Sequence, residues 1–155
     1  MSYNSSSHAQ VCDTTTQTIA VANTPQAVTF NTNVFLRKIA HSTSVNKSRI
    51  TVNEAGQYDV IAIIQTTSSA ANKTLDFWFR VNGTDVTNSN CKSVIENSGQ
   101  TDISVVGFCF PMTAGQYFEL MVSGDSTNLS LPAFTAGTSP TRPVTPSITL
   151  TVTKV

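Results

Sequence analysis

Charge is scarce in this chain, and its two signs cancel. Charged residues make up 12% of the 155, with nine basic and nine acidic side chains. An average soluble protein carries about 25%. The balance leaves no basic face for nucleic acid and no acidic run for a solvating tail. Cysteine is also sparse: Cys12, Cys91 and Cys109 stand at no regular spacing. An odd number argues against a disulfide framework, and nothing requires Cys12 and Cys91 to pair. Cys109, among Val105, Val106, Phe108 and Phe110, is expected as a small core residue.

Long apolar runs are missing, so no membrane span is expected. The opening Met1-Ser2-Tyr3-Asn4-Ser5-Ser6-Ser7-His8 has neither a basic nor an apolar region of the secretory kind. Synthesis in a cytoplasm is the expectation. The two histidines, His8 and His41, lie in polar surroundings and outside any motif. No CxxC, HExxH or phosphate-binding glycine loop occurs, and no nucleophile, base and orienter can be assembled. An enzyme is therefore not expected, nor a cofactor or a metal. Asp125 with Ser126 and Asn128 has calcium-type oxygens, but the composition favours a simple turn. Sequons at Asn4, Asn46, Asn72, Asn82 and Asn128 arise readily in a chain so rich in Ser, Thr and Asn.

What the chain does have is short strand signals separated by turns. Residues 1–16 are polar and aperiodic, and they predict an N-terminal arm, disordered or ordered against a partner. Residues 17–155 predict one domain. Tyr58–Thr66 is apolar on both faces around Ile61, Ile63 and Ile64, which predicts a central strand. Leu75, Phe77, Phe79 and Val81 alternate with Asp76, Trp78 and Arg80, and Asn82-Gly83 follows as a hairpin signal. The tetrapeptide Ala-Gly-Gln-Tyr occurs at 55–58 and again at 114–117. Gly56 and Gly115 suit sharp reversals, and Tyr58 and Tyr117 suit the strands they open. The flanks do not repeat, so an internal duplication is not expected. No helix is predicted. Eight to ten strands with frequent turns predict an all-β, two-sheet antiparallel jelly-roll sandwich.

If Leu75 to Val81 face the core, Asp76, Trp78 and Arg80 share the outer face of one strand. Trp and Arg are enriched at interface anchors, so this triplet is a candidate trimer or partner interface.

The run Arg49-Ile50-Thr51-Val52-Asn53-Glu54-Ala55-Gly56-Gln57-Tyr58 resembles the strand entry of trimeric jelly-roll heads. These include the complement-type heads and the tumour necrosis factor family. A group of small tailed-phage virion proteins is more similar. They share patterns like Asp76–Val86, Ala114–Leu120, Ala136–Pro143 and Pro146–Thr153, in this order and spacing. The resemblance spans roughly residues 17–155. It implies a ten-stranded, tumour-necrosis-factor-like jelly roll that forms a homotrimer, with first and last strands close together. This chain shows no collagen-like stalk, coiled coil or fibre shaft. The resemblance then implies a capsid decoration (cement) protein on the surface of a phage virion, whose partner is the major capsid protein. The alternative is the receptor- or glycan-binding tip of a head or tail fibre.

Overall fold

Alternation at Leu75, Phe77 and Phe79 sets three large side chains on one side of a strand, and all three are buried. Repeated along the chain, this pattern builds two sheets face to face. The structure, a computed structural model, describes residues 6–155. Its strands run β1 (His8–Asp13), β2 (Gln17–Thr18), β3 (Gln26–Ala27), β4 (Thr32–Arg37), β5 (Ile39–Ala40) and β6 (Ile50–Val52). They continue as β7 (Gly56–Ser68), β8 (Lys73–Val81), β9 (Thr84–Asp85), β10 (Cys91–Ile95) and β11 (Thr101–Met112). The chain closes with β12 (Tyr117–Gly124), β13 (Leu129–Leu131), β14 (Gly137–Thr138), β15 (Thr141–Arg142) and β16 (Ile148–Lys154). Ten of these hold three residues or more, and no helix occurs among the described residues.

The first sheet runs β4-β1-β16-β7-β11, with β13 and β2 continuing beside β7. The second runs β10-β8-β12-β6-β5, with β9 beside β8 and β3 beside β12. All pairings within the two sheets are antiparallel. The chain changes sheet from β6 to β7, from β7 to β8, from β10 to β11 and from β11 to β12. This is the two-sheet jelly roll.

The core lies between the sheets. β7 sends in Tyr58, Val60, Ala62 and Ile64, and β16 sends in Ile148, Leu150 and Val152. The second sheet answers with Phe77, Phe79, Phe118 and Leu120. Phe79, Phe110 and Phe118 form a ring cluster with centroids 5.5, 5.6 and 6.5 Å apart. Such aromatic pairs contribute about 0.5–1.5 kcal/mol each beyond the area they bury. The Tyr58 hydroxyl, buried among them, donates to the Glu54 carbonyl at 2.7 Å, so the ring enters the core without an unsatisfied polar atom.

The predicted arm over 1–16 is corrected. His8–Asp13 is a sheet strand, paired along its whole length with β16 and also with β4. Its Ala9 and Val11 are fully buried, so the jelly roll already includes residue 8. The start of the predicted arm, residues 1–5, lies outside the described residues.

The two Ala-Gly-Gln-Tyr copies also take different conformations. Gly115 has φ +88° and turns the chain into β12. Gly56 is not left-handed; it is already a strand residue opposite Met112. Its lack of a side chain instead makes room for Lys154, whose Cε would lie 2.5 Å from an added Cβ. Tyr58 points into the core, whereas Tyr117 is half-exposed on the outer side.

Candidate functional site

Each sheet has an outer face, and the two are built differently. On the first sheet the outward positions are β7 Asp59, Ile61, Ile63 and Gln65, β16 Thr149, Thr151 and Thr153, and β11 Ile103, Val105, Gly107 and Cys109. Register aligns them in rows across the sheet. Cys12, Thr149, Ile63 and Val105 form one row, and Gln10, Thr151, Ile61 and Gly107 the next. Phe35 extends the second row from β4. Ile61 and Ile63 are 45% and 47% exposed, and Ile103 and Val105 are 65% and 63% exposed. Charge enters toward one end, where Arg37 and Asp59 stand in the row of His8 and Thr153. An exposed apolar patch of this kind is a candidate interaction surface.

Cys109 belongs to this outer face, which corrects its expected place in the core. Val106, Phe108 and Phe110 fill the inward phase of β11, so Val105, Gly107 and Cys109 take the outward one. Cys12, on the first sheet, and Cys91, on the second, are both unpaired.

The second sheet brings Asp76, Trp78 and Arg80 together on its outer face, all half-buried. Their polar groups are engaged within the chain. Trp78 Nε1 donates to Asp85 Oδ1 at 2.8 Å, and Arg80 Nε donates to the same oxygen at 2.7 Å. The bond from Arg80, and after it the bond from Trp78, holds the Asp85 carboxyl below its ordinary range. Asn90 donates to Asp76 at 2.9 Å, and the Lys92 ammonium lies 4.0 Å away. Met121, opposite Trp78 on β12, is buried although it faces outward.

A tight turn holds Asp85 in reach. Asn82 and Gly83, with φ 45° and 83°, join β8 to β9. Both positive angles match the two-residue hairpin that sheet twist prefers. Asn82 also accepts from the Tyr117 amide at 2.9 Å, so this turn fixes the start of β12.

A third feature was not visible in the sequence. The 40–51 segment and Tyr117 enclose a depression of about 470 Å³, lined by His41, Ser42, Val45, Asn46, Arg49 and Thr51. Pairing of Tyr117 with Thr51 brings its walls together. The Arg49 guanidinium sits 4.3 Å above the centre of the Tyr117 ring. His41 is held at both ring nitrogens, by the Asn33 side chain and the Lys47 carbonyl. His8 lies in β1 with its Nδ1 at the Ser6 carbonyl, so the two histidines serve separate local contacts. Asp125 accepts from the Thr74 amide at 3.0 Å and Ser126 from the Asn128 amide at 3.1 Å, tying down their turn.

No protein-family model matches this chain, and no curated protein matches it in sequence. A solved structure similar to it is the crystal structure of murine APRIL at pH 5.0, with a TM-score of 0.62 at 10% identity. The similarity covers 97% of this chain and 100% of that one. At this identity it establishes the fold, a tumour-necrosis-factor-like jelly roll.

Proposed function

We propose that this chain is a phage virion structural protein: a homotrimeric decoration protein on the head surface, bound to the major capsid protein. The observation that carries the self-association is the outer face of the first sheet. Ile61, Ile63, Ile103 and Val105 stand exposed there in adjacent rows. Each is already partly buried, so covering it is worth about 1–2 kcal/mol, and no charged side chain in those rows has to be desolvated. A three-fold ring needs heterologous contacts, in which this face meets a different patch on the next copy. The seam between the sheets at β10 and β11 is suited to that role. It holds a hollow of about 200 Å³ lined by Phe77, Cys91, Lys92, Ser93, Ser104 and Val106, with Val105 of the apolar face at its border.

The placement on a capsid is supported by the order of the Asp76–Val86, Ala114–Leu120, Ala136–Pro143 and Pro146–Thr153 patterns, which resembles small phage virion proteins. The near-neutral, hydroxyl-rich composition agrees with it. Two measurements test the proposal. Native mass spectrometry should give a trimer, and a stable monomer at micromolar concentration would sink the self-association. Cryo-electron microscopy of the particle should show density at three-fold or quasi-three-fold positions of the head. A few copies at a tail or vertex would make the chain a fibre tip instead.

A further inference from the structure

The geometry points to the depression beside Tyr117 as a binding site for an acidic saccharide, with Arg49 receiving its carboxylate. The depression, about 470 Å³ and open to solvent, has room for a ligand that stays partly hydrated. Arg49 is engaged there through its face alone. Its guanidinium carbon lies over the Tyr117 ring, 4.3 Å from the ring centre. Among the described residues its side chain makes no hydrogen bond and no ion pair. Glu119, two residues along β12 on the same face, accepts from the Ser48 hydroxyl instead. The cation–π contact holds the guanidinium at the site, and a guanidinium can take a carboxylate in bidentate fashion.

The lining extends the match from an anion to a polyol. Thr51, Tyr117 and Asn46 line the same space, and their polar side chains make no hydrogen bond among the described residues. Val45, 65% exposed, supplies an apolar surface for ring C–H groups. The segment that carries these groups is fixed in advance. Ser42 Oγ accepts from the Ser44 and Val45 amides at 3.3 and 3.2 Å. The Arg49 amide donates to the Asn46 carbonyl at 2.9 Å, and the Phe30 amide to the Lys47 carbonyl at 3.0 Å. Pre-ordering lowers the cost of binding. The site lies on the second sheet, away from the apolar face of the first. Binding to one chain therefore does not depend on the proposed trimer.

Titration of the full chain, followed by protein amide chemical shifts in NMR, tests the site with four probes: sialyllactose, a galacturonic acid oligomer, lactose and inorganic phosphate. At least one acidic saccharide should bind with a Kd of about 1 mM or tighter. Lactose should bind about tenfold more weakly, as loss of a charge-assisted hydrogen bond implies. Arg49→Gln should lose about tenfold in affinity, and Arg49→Lys should fall between, keeping charge without the planar fork. Unchanged melting of each variant shows that the fold is intact. Should Arg49→Gln fail to fold, Thr51→Val and Asn46→Ala carry the same test from the polyol side. No shift change on adding either acidic saccharide would overturn the proposal. So would equal binding of lactose, tighter binding of phosphate, or affinity unchanged by every variant.

Discussion

On the outer face of the second sheet, Trp78, Arg80 and Asp85 close a network in which one carboxylate oxygen accepts two bonds. On the outer face of the first, Ile61, Ile63, Ile103 and Val105 stand in rows with Thr149 and Thr151 and have nothing over them in the single chain. Both faces carry large side chains, and both flank the same core. The difference is whether the chain itself supplies the cover. A half-buried Trp whose N–H is satisfied internally offers little further gain to a partner. An exposed aliphatic face gains from whatever excludes water from it. The comparison moves the proposed self-association from Trp78, where residue type alone placed it, to the β16-β7-β11 surface.

The largest effect should come from charge placed on the apolar face. Ile63→Asp puts a carboxylate into the row with Thr149 and Val105. Leaving a charge unpaired in an interface costs about 3–5 kcal/mol. Sedimentation should show loss of the proposed trimer, while the far-ultraviolet signal of the sandwich persists. A trimer that survives both Ile63→Asp and Val105→Asp would remove this face from the assembly.

Trp78→Ala should act on the other side of the comparison. It removes a half-buried ring and leaves Asp85 with one donor fewer. A loss of about 1–2 kcal/mol in folding stability is expected, within the usual span for single substitutions, with oligomeric state unchanged. Dissociation without destabilisation would restore Trp78 as the anchor. Asp85→Asn is a gentler cut into the same network, because the new side chain keeps an oxygen acceptor. The Arg80–Asp85 pair is partly exposed, at 24% and 57%, so the expected loss is about 0.5 kcal/mol in a urea titration.

How much of this was legible in the sequence depended on how each strand divides its apolar residues. β8 was clear because Leu75, Phe77 and Phe79 share one phase while Asp76 and Arg80 hold the other. β11 was not, because Ile103, Val105 and Cys109 are as apolar as Val106, Phe108 and Phe110. Periodicity shows two faces there but not which one meets the other sheet. Packing decides it: Phe110 joins Phe79 and Phe118, and Cys109 is left outside. β1 was hidden for the opposite reason. Only Ala9 and Val11 alternate inward among polar neighbours, too few for a period to show. The two Ala-Gly-Gln-Tyr copies separate Tyr58 from Tyr117 through pairings distant in sequence, with Met112 opposite Gly56 and Thr51 opposite Tyr117. The Arg49 depression depends on that last pairing too, and no local pattern announces it.

The smallest expected effect concerns a charge cluster that belongs to neither outer face. Glu54 accepts from Lys38 at 2.7 Å and from the Ser7 hydroxyl at 2.8 Å, with Lys154 at 3.5 Å. It thereby joins the start of β1, the β4–β5 connection and the end of β16. The Lys38 bond, then the Ser7 bond, then the two ammonium charges lower its carboxyl from 4.5 to about 2. Because the folded value is depressed, the unfolded chain binds the proton first as acid is added. The stabilisation is therefore complete above pH 4.5 and disappears as pH falls toward about 2. Glu54→Gln removes this dependence, although other carboxylates still titrate. The readout is thus the difference between the two proteins: urea midpoints slightly apart at pH 6 should draw together as pH falls below 4.5 and meet only below about 2. The cluster is exposed to solvent, so the gap should also shrink in high salt. A gap that stays constant across the acid range would show that Glu54 acts through packing and hydrogen bonds, without its charge.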